Sequence, residues 1–157
     1  MSEVFINQAR AVAITGHRIL NKEFSQKKLQ EKLNLFIDKG FDTFLIGMAL
    51  GFDTVCFQTL EKIRKDKKLK IIACIPCLSQ DSKFTKEQKD EYQRMLEKAD
   101  EKIVLSREYN PRCMQKRNEF MVDNAFVVFA YLKRDFGGTA NTVKYAKKQG
   151  KSIVFFE

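Results

Sequence analysis

Short apolar runs of four to six residues recur along the chain: 11–15 (AVAIT), 43–46 (TFLI), 70–75 (KIIACI), 102–105 (KIVL), 126–130 (FVVFA) and 152–155 (SIVF). They are rich in β-branched residues and mostly continuous rather than alternating, which predicts strands covered on both faces. Between them apolar residues return at helical spacing. Leu29, Leu33, Phe36 and Ile37 form one stripe, and Val55, Leu60 and Ile63 a second. Thr85-x-x-Gln88 reads as a capping box opening a helix that ends near Ala99, with Tyr92, Met95, Leu96 and Ala99 on one side. Residues 112–124 and 139–149 supply the last two helices. Parallel strands need crossover connections, so this alternation predicts an α/β fold. It is a Rossmann-like, doubly wound, mostly parallel sheet of about six strands with helices on both faces.

Composition narrows the class. A chain of 157 residues with 44% hydrophobic content suits a single domain over 1–157, which buries roughly 70% of its unfolded surface without metal or disulfide support. With 7 Gly and 2 Pro, fibrous and disordered classes are excluded. The longest apolar run, 125–132 (AFVVFAYL), falls short of the ~20 residues that cross a bilayer. The N-terminal MSEVFINQAR, with Glu3, lacks the apolar core of a signal peptide, so the expectation is a cytoplasmic protein without membrane partners. The net charge of +9 is dispersed among acids over 22–28, 65–68 and 147–148. That is the pattern of a solvated surface that attracts anions, and no aromatic-interleaved stripe argues for a nucleic-acid groove. Among the 4 cysteines only Cys74 and Cys77 stand at C-x-x-C spacing, and the single His17 offers no partner ligand set for zinc. The expectation is buried free thiols, with no metal or other cofactor required.

The glycines carry the functional signal. Gly40 and Gly150 follow helices and read as C-terminal caps. Gly16, Gly47, Gly51, Gly137 and Gly138 all fall between a strand and the next helix, the edge of an open α/β sheet where ligands bind. The first of these turns, Thr15-Gly16-His17-Arg18, has neither a dinucleotide nor a P-loop fingerprint. Thr15 and Arg18 suit phosphate there, against an ordinary turn with a solvated Arg and a hydrogen-bonded His. In 47–53 (GMALGFD), Gly47 and Gly51 allow close approach to backbone amides, and Asp53 reads either as a helix cap or as an acceptor for ribose hydroxyls. In 135–142 (DFGGTANT), Gly137, Gly138 and Thr139 form a candidate phosphate cradle at a helix N-terminus, against a plain turn capped by Thr139.

Arg117 separates a binding site from a bare scaffold. On the helix over 112–124, Met114 and Met121 mark the inward face, and Arg117 and Asn118 lie on that same face. A guanidinium turned inward needs an anionic partner, either a carboxylate of the protein or a ligand phosphate.

The strings AITGHR, IGMALGFD, IPC, MQKRNEFMVDNA and GGTANTVKYA, in this order, resemble the SLOG superfamily, in particular its small stand-alone YpsA-like members. The resemblance implies a Rossmann-like fold binding nucleotides or nucleotide-derived ligands at its Gly-rich edge. Relatives of that superfamily include the Lonely Guy phosphoribohydrolases and the DNA-processing protein DprA. By the same resemblance Arg117 matches the arginine of the phosphoribohydrolase R-x-x-x-M helix, and Gly138-Thr139 matches their Gly-Thr turn. The catalytic glutamate two residues past that threonine is replaced by Asn141. A neutral amide is a poor base for water and a poor stabiliser of an oxocarbenium-like centre. The expectation is therefore a sensor or regulatory module holding a small nucleotide-like ligand, with paired subunits as in many Rossmann-like proteins. The alternatives are a nucleoside-monophosphate phosphoribohydrolase and a single-strand DNA-binding module.

Overall fold

The computed structural model describes residues 4–157. Glu3, which enters the sequence reading of the N-terminus, lies outside the described residues. The strands are β1 (Ala11–Gly16), β2 (Thr43–Ile46), β3 (Lys70–Ile75), β4 (Glu101–Val104), β5 (Val127–Tyr131) and β6 (Ser152–Phe155). The helices are α1 (Gln26–Asp38), α2 (Phe52–Arg64), α3 (Lys86–Lys98), α4 (Cys113–Asp123) and α5 (Gly138–Lys148). All strand pairs are parallel, in the order β4-β3-β2-β1-β5-β6. This is the Rossmann-like, doubly wound sheet the alternation predicts.

Alternation along each strand divides the core into two layers. Val12, Ile14, Phe44, Ile46, Ile71 and Phe129 pack with α1, α2 and α3, through side chains such as Leu33, Phe52 and Met95. Ala11, Ala13, Leu45, Ile72 and Ala130 face the opposite way, against Met121 and Val122 of α4 and Val143 and Ala146 of α5. The alanines on that second face let helix backbone approach the sheet closely, and α4 contacts both β1 and β3.

Two strands begin one residue away from their expected positions. The fourth run, read as 102–105, is paired over Glu101–Val104, and the fifth, read as 126–130, over Val127–Tyr131. Phe126 is 55% exposed and only feeds its N–H to the Ala11 carbonyl, so its apolar character reflects no burial. The edge strands β4 and β6 are half-buried at best, unlike the fully covered β2 and β5.

The chain lays down β1 to β4 in one direction, and α4 then returns over the sheet so that β5 pairs on the free side of β1. The strand order thus reverses between β1 and β5. At that point the loops leaving the two strands diverge to opposite faces and open a crevice at their carboxyl ends.

The caps tell which loop residues are structural. Ser25 accepts from the Lys28 N–H at α1, and Thr85 and Gln88 form the reciprocal capping box at α3. At α2 the capping position is Gly51, at φ +83°, and at α5 it is Gly137, at φ +96°. Neither Asp53 nor Thr139 caps its helix. Each lies one residue inside the first turn, and both are buried.

Candidate functional site

At the strand reversal lies a cleft of about 340 Å³. The end of β1 contributes Thr15, Gly16, His17 and Arg18, and the β2–α2 loop contributes Ala49, Leu50 and Asp53. Arg117 and Asn118 enter from α4, and Arg134, Gly138 and Thr139 from the β5–α5 connection. Of the residues singled out in the sequence, Thr15, Gly16, Arg18, Asp53, Arg117, Asn118, Gly138 and Thr139 share this one cavity. Gly47, Gly51 and Gly137 do not line it; Gly47 and Gly51 shape it from behind, and Gly137 caps α5.

Gly47 does so by yielding space. A Cβ there would stand 2.8 Å from the Arg117 guanidinium carbon. Gly51 combines a left-handed backbone with a close approach, because a Cβ there would overlap the Arg18 carbonyl. Gly138 is different, since a Cβ on it would meet nothing within 4 Å.

Arg117 is buried, with 5% of its surface exposed. Its Nη1 donates to the carbonyl of Gly47 and, at 3.3 Å, to that of Cys74, while Nε donates to Asn118 Oδ1 at 2.7 Å. The anionic partner expected from sequence is not in direct contact: no ion pair among the described residues involves Arg117. Strand-end carbonyls hold the guanidinium instead. Burial lowers its pKa, and the nearby Asp53 charge opposes that shift.

Asp53 is the complementary group. Its Oδ2 accepts the Ala49 N–H at 3.1 Å, fixing the loop that precedes α2, and its Oδ1 has no hydrogen-bond partner. Burial pushes the carboxyl up to about 6, against the opposing pull of Arg117 and of the Ala49 N–H.

His17 is the hydrogen-bonded histidine of the alternative reading of the first turn, and Arg134 was not singled out in the sequence. The Nε2 of His17 accepts the Lys133 N–H at 2.8 Å, which puts the proton of the neutral ring on Nδ1, and Nδ1 has no partner. Burial, then Arg134 and Lys133, lowers the His17 pKa, in keeping with a ring whose Nε2 accepts an N–H. Arg134 brings a further guanidinium to the cleft, stacked 4.9 Å from the Phe136 ring. Their only sequence signal was position, immediately beyond a strand end.

His17 Nδ1 and Asp53 Oδ1 are the buried side-chain polar atoms without a partner among the described residues, and both residues line this cleft. A larger groove of about 620 Å³ runs beside α2 and α3, but there Arg94 is already bidentate to Glu61 and also bonded to Glu91. Buried polar groups are almost always paired. The smaller cleft is therefore the one with chemistry to satisfy. Asn141, where the resemblance places the hydrolase glutamate, is exposed and does not line it.

The four cysteines are buried and unbridged. Burial pushes the Cys74 thiol up to about 12, and its backbone carbonyl, not its sulfur, faces Arg117. No helix of the described residues is long and apolar enough to cross a membrane.

The parallel order and the cleft at its reversal define a doubly wound domain of the Rossmann-like class. The profile of the YspA SLOG family (YpsA) matches residues 13–154, and the chain belongs to that family. It is 34% identical over 141 residues to the SPbeta prophage-derived protein YoqJ of Bacillus subtilis (strain 168), covering 77% of this chain and 81% of that one. It is 27% identical over 129 residues to a UPF0398 protein of Bacillus velezensis, covering 74% and 71%. Among solved structures, DNA processing protein A (DprA) from Streptococcus pneumoniae superposes with a TM-score of 0.69 at 20% identity, covering 94% of this chain and 50% of that one. DNA processing protein A from Helicobacter pylori, described for its single-stranded DNA binding mode, gives 0.67 at 18% identity, covering 95% and 66%. The chain thus spans half to two thirds of those proteins, and the likeness is one of fold.

Proposed function

We propose that the cleft binds a nucleotide or nucleotide-derived ligand through its phosphate and ribose, as a sensor or regulatory module. The observation that carries this reading is Asp53 Oδ1, a buried carboxylate oxygen without a donor in a cleft that also holds a buried arginine. A ribose hydroxyl supplies the donor it lacks. Phosphate is served by the first turn of α5, whose N-terminus carries no side-chain cap, and by Arg18 and Arg134 at the mouth. The helix dipole adds attraction for an anion there. Arg117, fixed by two carbonyls, contributes positive potential from beneath and keeps Asn118 oriented.

A thermal-shift screen against AMP, ADP-ribose and related nucleotides tests the reading. Stabilisation rising with ligand concentration is expected, and no shift at millimolar concentration of any of them contradicts it.

A single-strand DNA-binding module is the second reading, favoured by the net charge of +9 and by the fold shared with a single-stranded DNA-binding neighbour. Gel-shift binding that weakens steeply with salt distinguishes it, because phosphate contacts release counterions.

A further inference from the structure

Leu50 and Phe84 line both the cleft and a second cavity of about 170 Å³ between the β2–α2 loop and α3. The rest of this annex is walled chiefly by Met48, Thr54, Tyr92 and Met95, with Glu87 and Glu91 on its α3 side. No cationic side chain lines it. Its volume is equivalent to about six waters in the liquid, on the scale of a bicyclic heteroaromatic ring.

The annex is built rather than left over. Met48 is buried and holds φ at +64°, the only non-glycine among the described residues at positive φ. That conformation is unfavourable for any residue with a Cβ, and a glycine would relieve it. The methionine puts a thioether in the annex wall, which Met95 of α3 also lines. The Tyr92 hydroxyl, the polar atom most able to spoil an apolar wall, is turned to Gln80 Oε1 at 2.9 Å. Gln80 Nε2 donates in turn to the Gly47 carbonyl at 2.9 Å, the same oxygen that accepts from Arg117. The annex wall and the buried guanidinium beneath the cleft are thereby one hydrogen-bonded unit.

From these shared walls we infer that the annex receives the uncharged base of a nucleotide whose phosphate and ribose occupy the cleft. The inference rests on the proposed function above. Thioether and aromatic walls favour a flat polarisable ring, and an annex lined by Glu87 and by no cationic side chain disfavours a second phosphate. The ligand therefore ends in its base and carries its anionic group at the other end only. A purine fills the annex more completely than a pyrimidine and is preferred.

The test compares ribose 5-phosphate, AMP and UMP by calorimetry on the full chain. AMP is expected to bind at least tenfold tighter than ribose 5-phosphate, with UMP between them. With methyl-labelled methionine, the Met48 and Met95 resonances are expected to shift by ring current with AMP and to stay in place with ribose 5-phosphate. Met95→Trp, which fills the annex from α3 at a residue that does not line the cleft, is expected to cost AMP at least fivefold and to leave ribose 5-phosphate unchanged. Equal affinity for AMP and ribose 5-phosphate, with unmoved methionine methyls, overturns the inference and leaves the proposed function standing. Failure of all three ligands to bind overturns the proposed function and this inference together.

Discussion

Gly47 and Arg117 are packed so closely that a methyl group on the glycine would lie 2.8 Å from the guanidinium carbon. The same glycine offers its carbonyl to Arg117 Nη1. One residue at the end of β2 thus both makes room for the buried cation and binds it, and the side chain on α4 can reach the strand ends only because nothing is there.

Gly47→Ala forces the guanidinium off its carbonyl. Overpacking of a filled interior typically costs about 1–3 kcal/mol, and a loss in that range is expected from urea unfolding with an unchanged slope. Gly51→Ala should cost at least as much, because strain at φ +83° adds to the overlap with the Arg18 backbone.

Gly138→Ala separates stability from binding. The added methyl meets no protein atom within 4 Å and enters a helical first turn, where alanine is favoured over glycine by up to about 1 kcal/mol. Gly138 lines the cleft, however. The variant should melt at the same or a higher temperature than the wild type while binding AMP more weakly.

The pH dependence follows from Asp53. Its carboxyl, pushed up to about 6 by burial, lies above its ordinary value of 3.8. A folded-state pKa raised in this way favours folding when the group is protonated. The contribution is fully present below 3.8 and is lost as pH rises through about 6. Ligand binding runs the other way, since a ribose hydroxyl donates to the ionised oxygen. Affinity for adenosine, which carries no phosphate that itself titrates near pH 6, should be flat above pH 7 and fall by up to about tenfold per unit below pH 6. Calorimetry at constant ionic strength across pH 4.5 to 8 reads both limbs.

Arg117→Met removes the nearest opposing charge from Asp53 and should move its carboxyl still higher, which carbon-detected NMR of the side chain reports. An unmoved Asp53 would mean that burial alone sets its ionisation.

The strands were legible because their β-branched runs are short and separated by turn residues, and β2, β3 and β6 fall where their apolar runs lie. The edges of β4 and β5 were not: β4 begins at the charged Glu101, which no apolar run announces, and Phe126 is apolar yet sits exposed just before its strand. Arg117 could be placed inward from the Met114 and Met121 spacing alone, but its partners could not. They are main-chain carbonyls at Gly47 and Cys74, 70 and 43 residues away, which no side-chain pattern announces. His17 is oriented by an N–H 116 residues later, a contact that exists only once β1 and β5 are paired. Asp53 read as a cap or as a ribose acceptor because its position fits both; the structure gives the cap to Gly51 and leaves one carboxylate oxygen without a partner.

Calorimetric titration of AMP into wild type and Asp53→Asn at pH 7.5 tests the central claim most directly. A carboxylate that receives the ribose predicts measurable binding to the wild type and at least a tenfold loss in a variant whose circular dichroism is unchanged. Equal affinity for the two proteins would contradict it.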